Sequence, residues 1–275
     1  MSECVLVSKR PGGDVRAVLE ELAGSVARDI AALPDRAKER IHDIRVDMKK
    51  FRHTVRLTSA VLPSRDRAKL DDLACEIKDA FGAARDREVQ TDLLRTLLGD
   101  PEAAAAAAAL PADDDETDSP AGDGAGNACK KLSVLVAKLD LRKLTRGQVI
   151  TAWGASYRDA RRMMAACRED VEDDLLFHEW RKRVKQVLYQ SAVLGPPADN
   201  LVSGAQELSS ALGSQHDLAL LCENISLCGP DAERLAFDKK RMTARLALDL
   251  GRRIFRKKTS ALLKRLSGSP DRESP

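Results

Sequence analysis

Residues 41–56 read IHDIRVDMKKFRHTVR, and the spacing of two residue classes within them decides the fold class. A helix turns by roughly 100° per residue, so His42, Arg45, Lys49, Arg52 and Arg56 fall within an arc of about 80° over four turns. Ile41, Ile44, Met48, Phe51 and Val55, with Leu62 beyond them, occupy the adjoining arc. The segment is therefore a long helix that buries one face and presents a line of cations beside it. On an ordinary solvated face, i,i+4 ion pairs mix the two signs. Here Arg45, Lys49, Arg52 and Arg56 repel one another, and the line calls for an anion to compensate it.

The same pattern recurs. His42-Asp43-Ile44-Arg45 is followed by Met48-Lys49, and His178-Glu179-Trp180-Arg181 by Val184-Lys185 at identical spacing. Each opening helix is trailed by a second match, Phe81-Gly82-Ala83-Ala84-Arg85-Asp86 in one case and Leu212-Gly213-Ser214-Gln215-His216-Asp217 in the other. Two coordinated matches point to an internal duplication. In the second copy His178, Arg181, Lys182 and Lys185 form a shorter stripe beside Phe177, Trp180, Val184 and Val187. Further cationic lines at helical spacing are Arg158, Arg161 and Arg162 with Arg168, and Arg241, Arg245, Arg252 and Arg256.

Composition agrees with an all-α chain. Hydrophobic residues make up 43% of the 275 positions but aromatics only 3%, and the abundance of Ala, Leu, Arg, Lys and Glu favours helices over sheets. The net charge of +3 conceals an asymmetry. Residues 100–127 hold eight acidic side chains and no basic one, so the remainder carries a surplus of eleven cations, which suits a polyanionic partner.

The helical periodicity and the Pro and Gly breaks predict a first helical half at 14–99, a flexible acidic Ala/Asp/Gly/Pro linker at 100–127 and a second helical half at 128–267. Within the second half a break at Gly213 separates two helices, and one last helix runs from Asp231 to Leu266. Short connections favour antiparallel packing.

Other chemistries find little support. Six scattered cysteines without a Cys-x-x-Cys pair argue for reduced thiols. None of the four histidines forms an i,i+4 pair, and cationic neighbours oppose a dication, so no metal is expected. Phosphate-loop, dinucleotide, zincin and hydrolase-elbow motifs are missing, which favours a non-enzyme without cofactors. No apolar run reaches the roughly 18 residues of a membrane span, and no leader-like h-region opens the chain, so a cytoplasmic protein is expected.

The paired His-x-x-Arg-x-x-x-Lys helices, the Gly-x-x-Arg/His-Asp matches and the Ser-Tyr-Arg-Asp-Ala-Arg-Arg stretch at 156–162 together resemble the CHAD family, the conserved histidine α-helical domain. The resemblance covers most of the chain outside 100–127. It implies one domain over residues 1–275, two pseudo-repeated antiparallel four-helix bundles around a basic central pore, binding of long-chain inorganic polyphosphate, and association with polyphosphate granules. Matching the family motif position by position puts His42, Arg45 and Lys49 in the first copy and His178, Arg181 and Lys185 in the second. Arg52, Arg56, Lys182, Arg158, Arg161 and Arg162 stand where similar proteins are basic. Gln186 and Leu188 depart, standing where the first copy has Lys50 and Arg52, so fewer contacts are expected from the second. The Glu-x-Glu-x-Lys motif of the triphosphate tunnel domain often fused to this family is missing, which removes support for polyphosphate hydrolysis. The rivals are a nucleic-acid binder, which the same stripes suit but which normally interleaves aromatics for stacking, and a helical protein-interaction module.

Overall fold

The computed structural model describes residues 10–33, 36–81, 86–109, 121–195 and 198–267. Among these the chain is all-α, with no strand. The first helices are α1 (Pro11–Ala31), α2 (Ala37–Val55, continued by a 3₁₀ turn at Arg56–Thr58) and α3 (Ser64–Asp79). Next come α4 (Asp86–Leu98), α5 (Asp100–Ala109) and α6 (Ala121–Ala137). The rest is α7 (Arg146–Glu169), α8 (Asp174–Leu194), α9 (Asp199–Cys222, followed by a 3₁₀ turn at Ile225–Cys228), α10 (Pro230–Ile254) and α11 (Thr259–Ser267). No described helix is long and apolar enough to cross a membrane.

Local chemistry sets several ends. Thr145 and Gln148 form a reciprocal capping box at α7, and the Asp173 carboxylate accepts from the Leu175 and Leu176 amides at α8. Gly195, at φ 89°, closes α8 in a conformation that suits glycine. The expected helix from Asp231 to Leu266 is divided: α10 ends at Ile254, where the Tyr157 hydroxyl lies 2.9 Å from the Ile254 carbonyl and 3.2 Å from that of Lys257, serving carbonyls the helix end leaves open.

Pairwise packing defines the architecture. α1 packs on α2 and on α6, and α3 packs on α2 and on α6, so four helices close a ring. In the C-terminal half α7 packs on α8, α8 on α9 and α9 on α10, with a lighter contact from α10 back to α7 and with α11 laid on α7. The two groups meet where α2 crosses α8 and where the 3₁₀ turn after α2 touches α7. One hydrophobic core runs through both, from Leu19, Ile44, Met48 and Phe51 to Trp153, Tyr157, Phe177 and Trp180. Burying side chains of this size contributes about 1.5–3 kcal/mol each.

Residues 100–127 depart from the expected linker. α5 occupies 100–109 and α6 begins at 121, while 110–120 lie outside the described residues. The physical reason is burial. Ala103 and Ala106 join Leu94, Leu221, Ile225, Ala232 and Ala236 in a second small core, which adds packing to the high helix propensity of alanine. α6 was expected to belong to the second half, yet Ala128, Cys129, Leu132 and Val136 pack into the core beside α1 and α3. The predicted break at Gly213 is also absent: α9 is continuous from Asp199 to Cys222. One glycine costs a helix about 1 kcal/mol, which Leu208, Leu212 and Leu218, all buried, offset.

Candidate functional site

The cationic stripe of α2 meets α8 at its C-terminal end. Arg56 donates from Nη1 to Gln186 Oε1 on α8 at 2.5 Å, and Gln186 Nε2 donates to Ser156 Oγ on α7 at 2.6 Å. Gln190 Nε2 donates to the His53 carbonyl at 2.9 Å, and the His53 ring lies 5.7 Å from that of Tyr189. Gln186, which breaks the repeat pattern in sequence, is therefore the residue that receives Arg56 across the seam. A lysine there would set two cations against each other in a buried position.

Along α2 the stripe is held at several points. His42 is exposed, while Arg45 and Lys49 are half-buried. Arg45 Nη1 donates to the Phe81 carbonyl at 2.6 Å. Arg52 grips Asp71 of α3 with two bonds of 2.8 Å each, which raises the guanidinium pKa further and holds the Asp71 carboxyl below its ordinary range. Part of the anion that the stripe calls for is thus supplied from within the chain.

On α8, His178 Nδ1 lies 3.3 Å from His216 Nδ1 of α9. Arg181 runs past Gly213, where a Cβ would stand 3.8 Å from Nη2. Lys182 bonds Glu179 at 2.6 Å. The charge of Lys185 reaches both His53 across the seam and His216 of α9.

The histidines report the field. Burial, then Arg56 and Arg52, with Lys185 adding to them against Asp71, push His53 down to about 3. Burial, then Arg181, His178, Lys185 and Lys182, push His216 down to about 4. His178 is lowered by burial and then chiefly by Lys182 and Arg181. Arg56 itself is lowered by burial, with Arg52 and Arg183 repelling it and Asp71 opposing them. Burial first, and the cations of α2 and α8 second, thus hold three imidazoles toward the neutral form.

A pH dependence follows. A histidine held neutral in the fold binds its proton more readily when unfolded, so the stability it contributes is complete above its ordinary value of 6.5. That stability is lost as pH falls toward about 4 at His216 and about 3 at His53. The ligand-free protein is expected to melt lower at about pH 5 than at about pH 7.5 at fixed ionic strength, and His53→Gln to flatten the difference. Equal melting of the wild type at both values would contradict the buried neutral state.

The remaining expected residues lie apart. Arg158 and Arg162 are exposed on α7, with Arg162 paired to Asp159, and Arg161 is half-buried near Tyr157. On α10, Arg241 pairs with Glu172 and Arg252 with Asp249, each at 3.0 Å. Arg245 is exposed, and Arg256 lines a cavity of about 360 Å³ with Arg253 and Lys257. Among the described residues no hydrogen bond or ion pair joins these seven arginines to the seam. Conversely, motif reading left out of the site His53, Asp71, Arg183 and Gln186, which meet or act on the cations of the crossing, and His216, which stands against His178 from α9. His53 falls just outside the arc of the α2 stripe, and only the packing of α8 brings it in. Among the described residues no group of three His, Cys, Asp or Glu side chains is placed to hold a metal ion.

The family model described as the CHAD domain matches residues 16–225, a span that includes α2, α8 and α9 and ends before α10. No curated protein matches the chain.

Proposed function

The chain belongs to the CHAD family, and we propose on that premise that it binds long-chain inorganic polyphosphate without turning it over, at the cationic seam where α2 crosses α8. The observation that carries this reading is the convergence of Arg52, Arg56 and Lys185, flanked by Arg181 and Lys182, around histidines that burial first, and the cationic field second, hold toward the neutral form. Polyphosphate offers a regular row of negative oxygens and no bases. Arginine meets such oxygens with a planar fork and lysine with a mobile point charge.

The finer architecture belongs to the same reading: two related four-helix bundles whose basic faces border a pore. Arg45 on the first motif helix reaches the carbonyl of Phe81, the residue before Gly82, and Arg181 on the second runs beside Gly213. The corresponding arginines thus approach the second match at Phe81 in one copy and at Gly213 in the other. The lines on α7 and α10 would extend the basic surface, and association with polyphosphate granules would follow from the affinity.

Nucleic acid fits less well. Phe51, Trp153, Tyr157, Phe177 and Trp180 are fully buried, so these five of the nine aromatics are not offered to stacked bases. The deciding experiment titrates long-chain polyphosphate at several salt concentrations, with tripolyphosphate and single-stranded DNA as competitors. Strong weakening with salt and poor competition by DNA are expected. Equal affinity for DNA would sink the proposal.

Asp71 gives an independent check. Asp71→Asn removes the carboxylate that occupies Arg52 and frees a bidentate cation for ligand, so several-fold tighter polyphosphate binding is expected by calorimetry. The gain should come with a slight loss of melting temperature. Weaker binding would mean that Asp71 serves to position Arg52 rather than to compete for it.

A further inference from the structure

We propose that His178 and His216 act as one proton-accepting unit of this site, so that a bound polyanion draws a single proton onto the pair and makes His216 a binding residue beside Arg181 and Lys185. The inference rests on the polyphosphate reading and deepens it.

The geometry sets the proton count. The rings lie 4.4 Å apart, centroid to centroid, with Nδ1 facing Nδ1 at 3.3 Å. Two neutral imidazoles sustain that contact only when one Nδ1 bears hydrogen and the other offers its lone pair. A first added proton, taken from solvent, makes one ring a cation and keeps the bond, now charge-assisted and stronger. A second would fill the remaining lone pair and set two N–H groups against each other. The pair therefore takes one proton and refuses the next.

Its surroundings explain why the free protein does not take it. On α8, Arg181, Lys182 and Lys185 repel the proton and Glu179 attracts it, but Glu179 is itself bonded to Lys182. On α9, Asp217 directly follows His216 in sequence, and Gln215 bonds Asp174, which also pairs with Lys240 of α10. From α2, Asp47 acts on Tyr189 in the sense opposite to Arg181, and His53 feels the charge of Lys185. Burial is the first cause that keeps the proton off the pair, and a cationic balance of charge adds to it. Phosphate oxygens laid on Arg181, Lys182 and Lys185 reverse that balance, and the proton then stabilises the complex.

Calorimetry tests this. Long-chain polyphosphate is titrated into wild type and His216→Gln near pH 5.5 in two buffers of different ionisation heat, and again near pH 7.5. At the lower pH the wild type is expected to take up about one proton more than the variant, and its affinity to rise about tenfold between the two pH values while the variant's rises less. Proton uptake by the polyphosphate ends is common to both proteins and cancels. His178→Gln is expected to match His216→Gln, since either change destroys the pair, and it provides the answer if His216→Gln does not melt cooperatively. Equal uptake by wild type and variants, with binding intact, overturns the inference and leaves the polyphosphate reading standing. Failure of the wild type to bind at all overturns both.

Discussion

Lys185→Glu is expected to weaken polyphosphate binding by about a hundredfold, or ~3 kcal/mol, as measured by titration at low salt. Lys185 is a cation whose charge reaches both His53 and His216. Reversing it removes an attraction and plants a repulsion within reach of both histidines. The change should also flatten the dependence of affinity on salt, since fewer counterions are released. The position is half-buried and helical, so helix content and cooperative melting should persist. Loss of less than threefold would place the ligand elsewhere, with the exposed arginines of α7 and α10 the next surfaces to reverse.

Trp180→Ala is expected to cost about 3–5 kcal/mol of stability in denaturant unfolding, much of what a domain of ordinary stability possesses. Trp180 is fully buried and meets Phe177 edge-on with ring centroids 6.0 Å apart. The fit against α10 is close: a Cβ at Gly251 would stand 2.7 Å from the indole, so Gly251 is where α10 makes room for the ring. Truncating the ring leaves a cavity at the meeting of α7, α8 and α10, and the neighbours can close it only by moving their helices. Trp180→Phe should be far milder, because it keeps most of the volume and removes an indole N–H that has no partner among the described residues. A loss below about 1 kcal/mol for the alanine variant would show that the ring does not hold these helices together.

These two residues lie five positions apart on one helix, and the sequence separates their roles well. A period near 3.6 distinguishes Phe177, Trp180, Val184 and Val187, which are buried, from His178, Arg181, Lys182 and Lys185, which are not. The same rule sorts α2 into Ile44, Met48, Phe51 and Val55 on one side and its cations on the other. Helix identity, both motif helices and the family were legible because each rests on neighbours within a few turns of one helix.

Other features lay beyond that range. The alanine tract at 103–109 reads as linker until Leu221 and Ile225 are seen packing against it. Gly213 reads as a break until the buried leucines on either side hold α9 straight. Gln186 reads as a lost cation until Arg56, 130 residues away in sequence, is found hydrogen-bonded to it.

By itself, then, the sequence determined that the chain is helical, which face of each motif helix is apolar, and where its cations line up, because periodicity and charge are local properties. Only the tertiary structure decided which lines meet and which are neutralised from within by Asp71, and that His216 stands against His178. Burial, desolvation and the fields of distant charges depend on which helices touch, and contacts between residues far apart in the chain set that choice.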